Sequence, residues 1–136
     1  MPVSQREFTA EGVEPLKQRI LVVDDQPTAT QVLATLLEKK GFETRVVNDS
    51  RRVLRAAREF DPQIILLDIS MPYTDGYEVA RRLRREPIVQ DVPSIAVTSF
   101  SHDAHKRRAA EAGIEHQLTK PCDLHDLIAL IELVTK

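Results

Sequence analysis

Two four-residue runs, Ile20-Leu21-Val22-Val23 and Ile64-Ile65-Leu66-Leu67, hold nothing but branched aliphatic side chains, and each stops at acid. The first ends in Asp24-Asp25 and the second in Asp68. A strand with one wet face alternates apolar and polar residues. A strand without alternation is buried on both faces, as in a parallel sheet covered by helices.

The segments between and after these runs read as helices and further strands. Pro27 suits a first helical turn; Ala29, Val32, Leu33, Leu36 and Leu37 follow at helical spacing, and Gly41 is a good stop. Glu43 to Val47 reads as a second strand. Asp49 or Ser50 caps a helix that carries Val53, Leu54, Ala57 and Phe60 on one face. Gly76 to Arg85 is helical, with Val79, Ala80 and Leu83 inward and four arginines outward. Pro93 precedes a strand over Ser94 to Thr98, and Asp103 to Ala112 is a helix closed by Gly113. Glu115 to Thr119 is a short strand. Asp123 caps a last helix that ends near Val134, with Asp126 at its third position.

The order is five βα units, so the expected fold is α/β: a five-stranded parallel sheet, doubly wound, with right-handed crossovers. The chain has 136 residues, enough for one such domain and too few for two. Residues 1–18 are polar and aperiodic, with Pro2, Gly12 and Pro15, and read as a tail or linker; residues 19–136 are the domain. No apolar run reaches the roughly 18 residues of a membrane span, and no signal-peptide stretch opens the chain, so the expected setting is cytoplasmic. One cysteine, Cys122, excludes a disulfide framework and a cysteine-rich zinc site. A net charge of −2 with 4% aromatic residues gives no reason to expect nucleic acid as a partner.

In doubly wound sheets, ligands bind beyond the carboxyl ends of the strands. The residues there are Asp24 and Asp25, Asp68, Thr98 and Lys120, all polar and all brought to one edge. Three carboxylates at one edge repel, and Mg²⁺ resolves this with oxygen ligands. Lys120 adds a compact positive charge and Thr98 a hydroxyl. That set suits a phosphoryl group carried on a carboxylate, with metal and lysine neutralising the transferring oxygens.

At these residues the chain resembles the receiver domain of two-component response regulators, the CheY-like superfamily. The resemblance covers roughly Arg19 to Val134. It rests on the first apolar run with Asp24-Asp25, on Leu66-Leu67-Asp68-Ile69-Ser70-Met71-Pro72 with Asp75-Gly76-Tyr77-Glu78, on Val97-Thr98-Ser99, and on Leu118-Thr119-Lys120-Pro121. Steps of 43, 30 and 22 residues from Asp25 through Asp68 and Thr98 to Lys120 fit the family's layout. The resemblance implies the flavodoxin-like strand order 2-1-3-4-5 and a set of roles. Asp68 is the phosphoacceptor. Asp25, Asp68 and the Ser70 carbonyl ligate Mg²⁺, with Asp24 acting through water. Thr98 bonds the phosphoryl group, Lys120 pairs with Asp68, and Lys120–Pro121 is a cis peptide. It also implies a histidine kinase or histidine phosphotransfer protein as donor and a downstream protein as target. Only 16 residues follow Lys120, which leaves no room for an output domain. Output is then by protein contact, or the chain is a piece of a longer protein.

Three departures stand out. Position 117, where the family usually carries an aromatic ring, is Gln117 beside His116; this puts the usual coupling of hydroxyl and ring in question. Ser99 stands where Ala or Gly is common. Phe100 and Ser70 occupy positions that tune dephosphorylation in the family.

Other function classes fit less well. A haloacid-dehalogenase-like phosphatase needs a D-x-D after the first strand, and here Gln26 follows Asp24-Asp25. A nucleotide or flavin binder needs a glycine-rich first turn, and this one is acidic. A receiver-like module that is never phosphorylated is disfavoured because all five site groups are present. The basic faces Arg81, Arg82, Arg84, Arg85 and Lys106, Arg107, Arg108 read as solvated rather than as docking sites. His102 and His105 read as surface histidines, and Cys122 as a packed thiol. The helix over Asp103 to Ala112 has only alanines as apolar residues, so it is weakly held: a mobile switch element or a plain exposed helix. In the last helix Leu124, Leu127, Ile128, Ile131 and Val134 face inward, while Leu130 and Leu133 lie off that stripe. Exposed leucines are ordinary; a homodimer or partner surface is the alternative.

Overall fold

The computed structural model describes residues 17–69, 75–98, 103–114, 116–120 and 123–135. The readings made for residues 1–16, Ser70, Ser99, Phe100, His102, Glu115, Pro121 and Cys122 lie outside the described residues, as do those for the side chains of Thr98, Ala104, His105 and Lys106.

Five parallel strands form one sheet in the order β2-β1-β3-β4-β5. They are β1 (Arg19–Val23), β2 (Glu43–Val47), β3 (Ile64–Leu67), β4 (Ser94–Thr98) and β5 (His116–Thr119). The helices between and after them are α1 (Pro27–Lys39), α2 (Val53–Phe60), α3 (Gly76–Arg84), α4 (Asp103–Glu111) and α5 (Leu124–Val134). Every residue of β3, and all of β1 but Arg19, is buried, which is why neither run alternates. Side chains still point alternately. Ile20, Val22, Ile64 and Leu66 pack with Leu37, Leu127 and Ile131 beneath α1 and α5. Leu21, Val23, Ile65 and Leu67 pack with Val53, Ala80, Leu83 and Ala109 beneath α2, α3 and α4. The sheet is therefore doubly wound, with a core on each face.

Helix starts follow local chemistry. Asp75 and Asp123 each accept the backbone N–H two residues on, from Tyr77 and His125. Asp49 does the same for Arg51, but there the chain first makes a short 3₁₀ turn, Ser50–Arg52, before α2.

Three side-chain expectations need correction. The buried stripe of α1 is Thr30, Ala34 and Leu37, with Leu33 partly buried; Ala29, Val32 and Leu36 face outward, Val32 being 55% exposed. Thr30 tolerates burial because its hydroxyl donates to the carbonyls of Gln26 or Pro27, both at 3.0 Å, and accepts from Asn48. Arg84 does not point to solvent. Its guanidinium donates to the carbonyls of Gln90 (2.8 Å), Val92 (3.3 Å) and Gly113 (3.1 Å from Nε). Leu130 packs partly against the α1–α5 core, leaving Leu133 alone as the outward leucine of α5.

The described part of helix α4 buries little apolar surface. Among its described side chains only Ala109 is buried, followed by Ala112 and Ile114 just past its end. A buried methyl is worth about 0.8 kcal/mol, against about 1.5–3 kcal/mol for a large aliphatic side chain.

Candidate phosphoacceptor and metal site

The register of the sheet assembles the site. Val23 lies opposite Leu67, so Asp24 and Asp68 leave neighbouring strands at the same level. This is where the strand order reverses, with β2 on one side of β1 and β3 on the other. The backbone is pinned there: the Asp68 N–H donates to the Val23 carbonyl at 2.9 Å, and the Asp24 N–H to the Val47 carbonyl at 3.1 Å. On the far side, Leu67 lies opposite Ala96 and Thr98 opposite Thr119, which delivers Lys120 just beyond β5.

Asp24, Asp25 and Asp68 each offer a carboxylate oxygen, and these oxygens lie within 4.8 Å of one another. This is the one such gathering of acid, histidine or cysteine ligands among the described residues. Lys120 Nζ donates to Asp24 Oδ2 at 3.1 Å and to Asp68 Oδ2 at 3.2 Å. The Asp68 side chain is 4% exposed, that of Asp24 12% and that of Lys120 33%. The ammonium thus bridges two nearly dry carboxylates from a wetter position.

The electrostatics are frustrated. Burial, followed by the charge of Asp68, pushes the Asp24 carboxyl above its ordinary value; hydrogen bonds from Lys120 and the Gln26 N–H pull the other way and do not win. Burial also works against the Lys120 ammonium, but the bonds and charges of Asp24 and Asp68 outweigh it and raise its pKa. Among the described residues, one ammonium faces three carboxylates, which leaves the cluster short of positive charge. Three clustered carboxylate oxygens on a partly hydrated edge form a donor set that fits Mg²⁺, a hard cation that favours oxygen and keeps several waters.

Four of the five residues expected at the strand ends, Asp24, Asp25, Asp68 and Lys120, meet in this way. Thr98 closes β4, and its side chain lies outside the described residues, as does Ser70. Asn48 was missed. Its amide donates to the Asp24 carbonyl at 2.7 Å and to the Thr30 hydroxyl at 3.0 Å, fixing the backbone that carries the acids. It follows β2 directly, so inspecting that strand end as well would have found it.

The profile described as "Response regulator receiver domain" matches residues 20–132. The chain is 33% identical over 119 residues to the DNA-binding response regulator MtrA of Mycolicibacterium smegmatis, covering 88% of this chain and 51% of that protein. It is 33% identical over 113 residues to an uncharacterised 14.6 kDa protein encoded in the sodA1 3′ region of Leptolyngbya boryana, covering 83% of this chain and 86% of that one. It spans about half the length of the DNA-binding regulators it matches. Among solved structures, the receiver domain of sensor histidine kinase PA1611 from Pseudomonas aeruginosa PAO1 superposes with a TM-score of 0.78 at 28% identity, covering 87% of this chain and 97% of that one. That structure holds a magnesium ion in its active-site cleft. The strand order, the acidic cluster at the strand ends and the profile match agree: the chain belongs to the response regulator receiver domain family.

Proposed function

We propose that this domain is a signalling switch that accepts a phosphoryl group on Asp68 from a phosphohistidine donor, a histidine kinase or histidine phosphotransfer protein. The observation that carries the reading is the Asp24–Asp25–Asp68 cluster with Lys120 bridging two of its members. A carboxylate oxygen of Asp68 attacks phosphorus and forms an acyl phosphate. The phosphorus–nitrogen bond of the donor breaks, and the imidazole nitrogen leaves with the electron pair. Asp24 and Asp25, with Asp68 and the carbonyl of Ser70, are the groups that would hold Mg²⁺. When bound, that ion neutralises charge on the transferring oxygens. Lys120 would move from the Asp68 carboxylate to the phosphoryl oxygens, and the role read for Thr98 from the sequence is to bond them through its hydroxyl. In this reading residues 19–136 are the receiver and residues 1–18 a tail or linker. The setting is cytoplasmic, and output runs through contact with a downstream protein. No described helix is long and apolar enough to cross a membrane.

Intact-mass measurement with Mg²⁺ and acetyl phosphate or phosphoramidate tests the reading. A gain of one phosphoryl group that is lost in Asp68→Ala supports it. No gain with any donor supports a receiver-like binding module instead. Turnover of a phosphomonoester that survives Asp68→Asn but not Asp24→Asn supports a phosphatase.

A further inference from the structure

Among the described residues, helix α4 has two polar attachments that differ in kind. Just past its C-terminal end, the Gly113 carbonyl accepts from both Nε and Nη2 of Arg84, whose Nη1 also donates to Gln90 and Val92. Gly113 sits at φ +89°, and an added Cβ there would lie 2.6 Å from Arg84 Nε, so turn and guanidinium are fitted to each other. This end is anchored to α3 through the Gly113 carbonyl, by a guanidinium that two further carbonyls hold in place. The second attachment runs toward the start of α3. Arg108 Nη2 donates to Asp75 Oδ2 at 3.1 Å, and the guanidinium carbon lies 4.2 Å from the centre of the Tyr77 ring.

Asp75 and Tyr77 are tied in turn to the backbone of Asp68. The other oxygen of Asp75, Oδ1, caps α3 through the Tyr77 N–H at 2.9 Å. Between them Gly76 brings the helix start so close that a Cβ would lie 2.6 Å from Ile69 Cα and 3.2 Å from the Asp68 carbonyl oxygen. No side chain cushions this contact. A shift of the Asp68–Ile69 backbone therefore moves the Asp75 cap directly, and with it the carboxylate that Arg108 holds. Arg108 and Asp75 are each about half exposed, at 48% and 46%, so the contact is weak enough for a small shift to break.

We propose that Arg108 couples the state of Asp68 to α4: bound to Asp75 and Tyr77 it holds the helix at rest, and phosphorylation of Asp68 releases it to turn about its Arg84–Gly113 anchor. The proposal rests on Asp68 being the phosphoacceptor. It gives α4, whose described side chains bury so little apolar surface, a defined resting contact.

Amide hydrogen exchange of α4 tests this, with intact mass recorded on the same samples. Wild type, Arg108→Gln and a control, Arg107→Gln, are compared at rest and after Mg²⁺ with acetyl phosphate. In the wild type, α4 exchange rises about fivefold to tenfold on phosphorylation, the scale set by loss of one exposed ion pair and one ring contact. Arg108→Gln shows that raised rate already at rest and changes little further; Arg107→Gln behaves as wild type. The proposal is overturned if Arg108→Gln at rest matches wild type, or if Arg107→Gln raises exchange equally. A sample that gains no phosphoryl mass overturns the phosphoacceptor reading and the coupling with it. The comparison at rest still decides whether Arg108 holds α4.

Discussion

Replacing Lys120 with methionine keeps a long apolar stem and removes the ammonium between Asp24 and Asp68, which it contacts at 3.1 and 3.2 Å. Losing one partner of a buried ion pair costs about 3–5 kcal/mol, because the other charge stays buried and unpaired. Lys120 is one-third exposed, so water already screens it and the figure is discounted to about 2–3 kcal/mol. Urea unfolding with a chelator present measures this, read as a change in midpoint at constant slope.

The pH dependence has a definite sign. The Asp24 carboxyl is already raised, by burial first and by Asp68 second, and the Lys120 hydrogen bond opposes the rise. In Lys120→Met it rises further. A carboxyl raised in the folded state binds its proton there before the unfolded chain does, so stability falls as pH climbs through the folded value. The penalty of the variant is therefore full at about pH 8 and shrinks toward the ordinary carboxylate range near about pH 4. In the wild type, Lys120 has a raised ammonium pKa, so its stabilisation is complete below the unfolded value of 10.5 and is lost only as pH rises through the folded one. Its titration contributes nothing to the comparison between pH 5 and pH 8. The gap between wild type and Lys120→Met must then narrow on acidification. Adding Asp24→Asn to the variant should recover about 1–2 kcal/mol, since it deletes one of the stranded charges. A gap below about 0.5 kcal/mol at pH 8, or one unchanged at pH 5, would refute the idea that Lys120 holds two dry carboxylates together.

Two further substitutions test the frame around the site. Gly76→Ala forces a methyl to within 2.6 Å of Ile69 Cα, so thermal or urea unfolding should show a loss of about 1–3 kcal/mol; a neutral variant would mean that α3 does not press on the Asp68–Ile69 backbone. Leu37→Ala, at a fully buried position, should cost about 2–5 kcal/mol, whereas Val32→Ala on the same helix should stay within about 0.5 kcal/mol; equal losses would contradict the observed face of α1.

The parts of the fold that were legible are those set by one local cause. An apolar run without alternation has nowhere to go but between two helical layers, and the acids that end β1 and β3 must then emerge together at the switch point. Asp75 and Asp123 cap helices because their own side chains reach the orphan N–H groups. The misreadings have tertiary causes. Two apolar stripes overlap on α1 at Leu33 and Leu37. The choice between Val32 and Ala34 as their neighbour turns on Thr30, whose hydroxyl finds partners inside. Arg84 reads as one more outward arginine until three carbonyls from the 85–93 segment and the Gly113 turn surround it. The departure at Gln117 raised the question of what couples the site to the rest of the domain. Nothing local to position 117 points to Arg108, nine residues earlier in the sequence, and its contacts to Asp75 and Tyr77 exist only once α3 and α4 are packed.

The sheet that makes the site also makes it costly. Asp68 ends a strand buried on both faces and is itself 4% exposed, so its charge is formed where water is scarce. The chain meets that cost from a distance: Lys120 arrives beyond β5, separated from β3 by the whole of β4. A lysine on β1 or β3 would sit inside an apolar core, whereas the edge strand lets its stem run over the sheet end with one-third of the side chain still in water. Among the described residues one ammonium faces three carboxylates, and the Asp24 carboxyl is raised first by burial and then by the charge of Asp68. A divalent cation would remove that excess of negative charge. An incoming phosphoryl group would restore it, adding negative charge at Asp68 and drawing on the same lysine. A bound divalent cation and an added phosphoryl group would therefore shift the charge of the site in opposite directions, next to the Asp68–Ile69 backbone against which the start of α3 packs at Gly76.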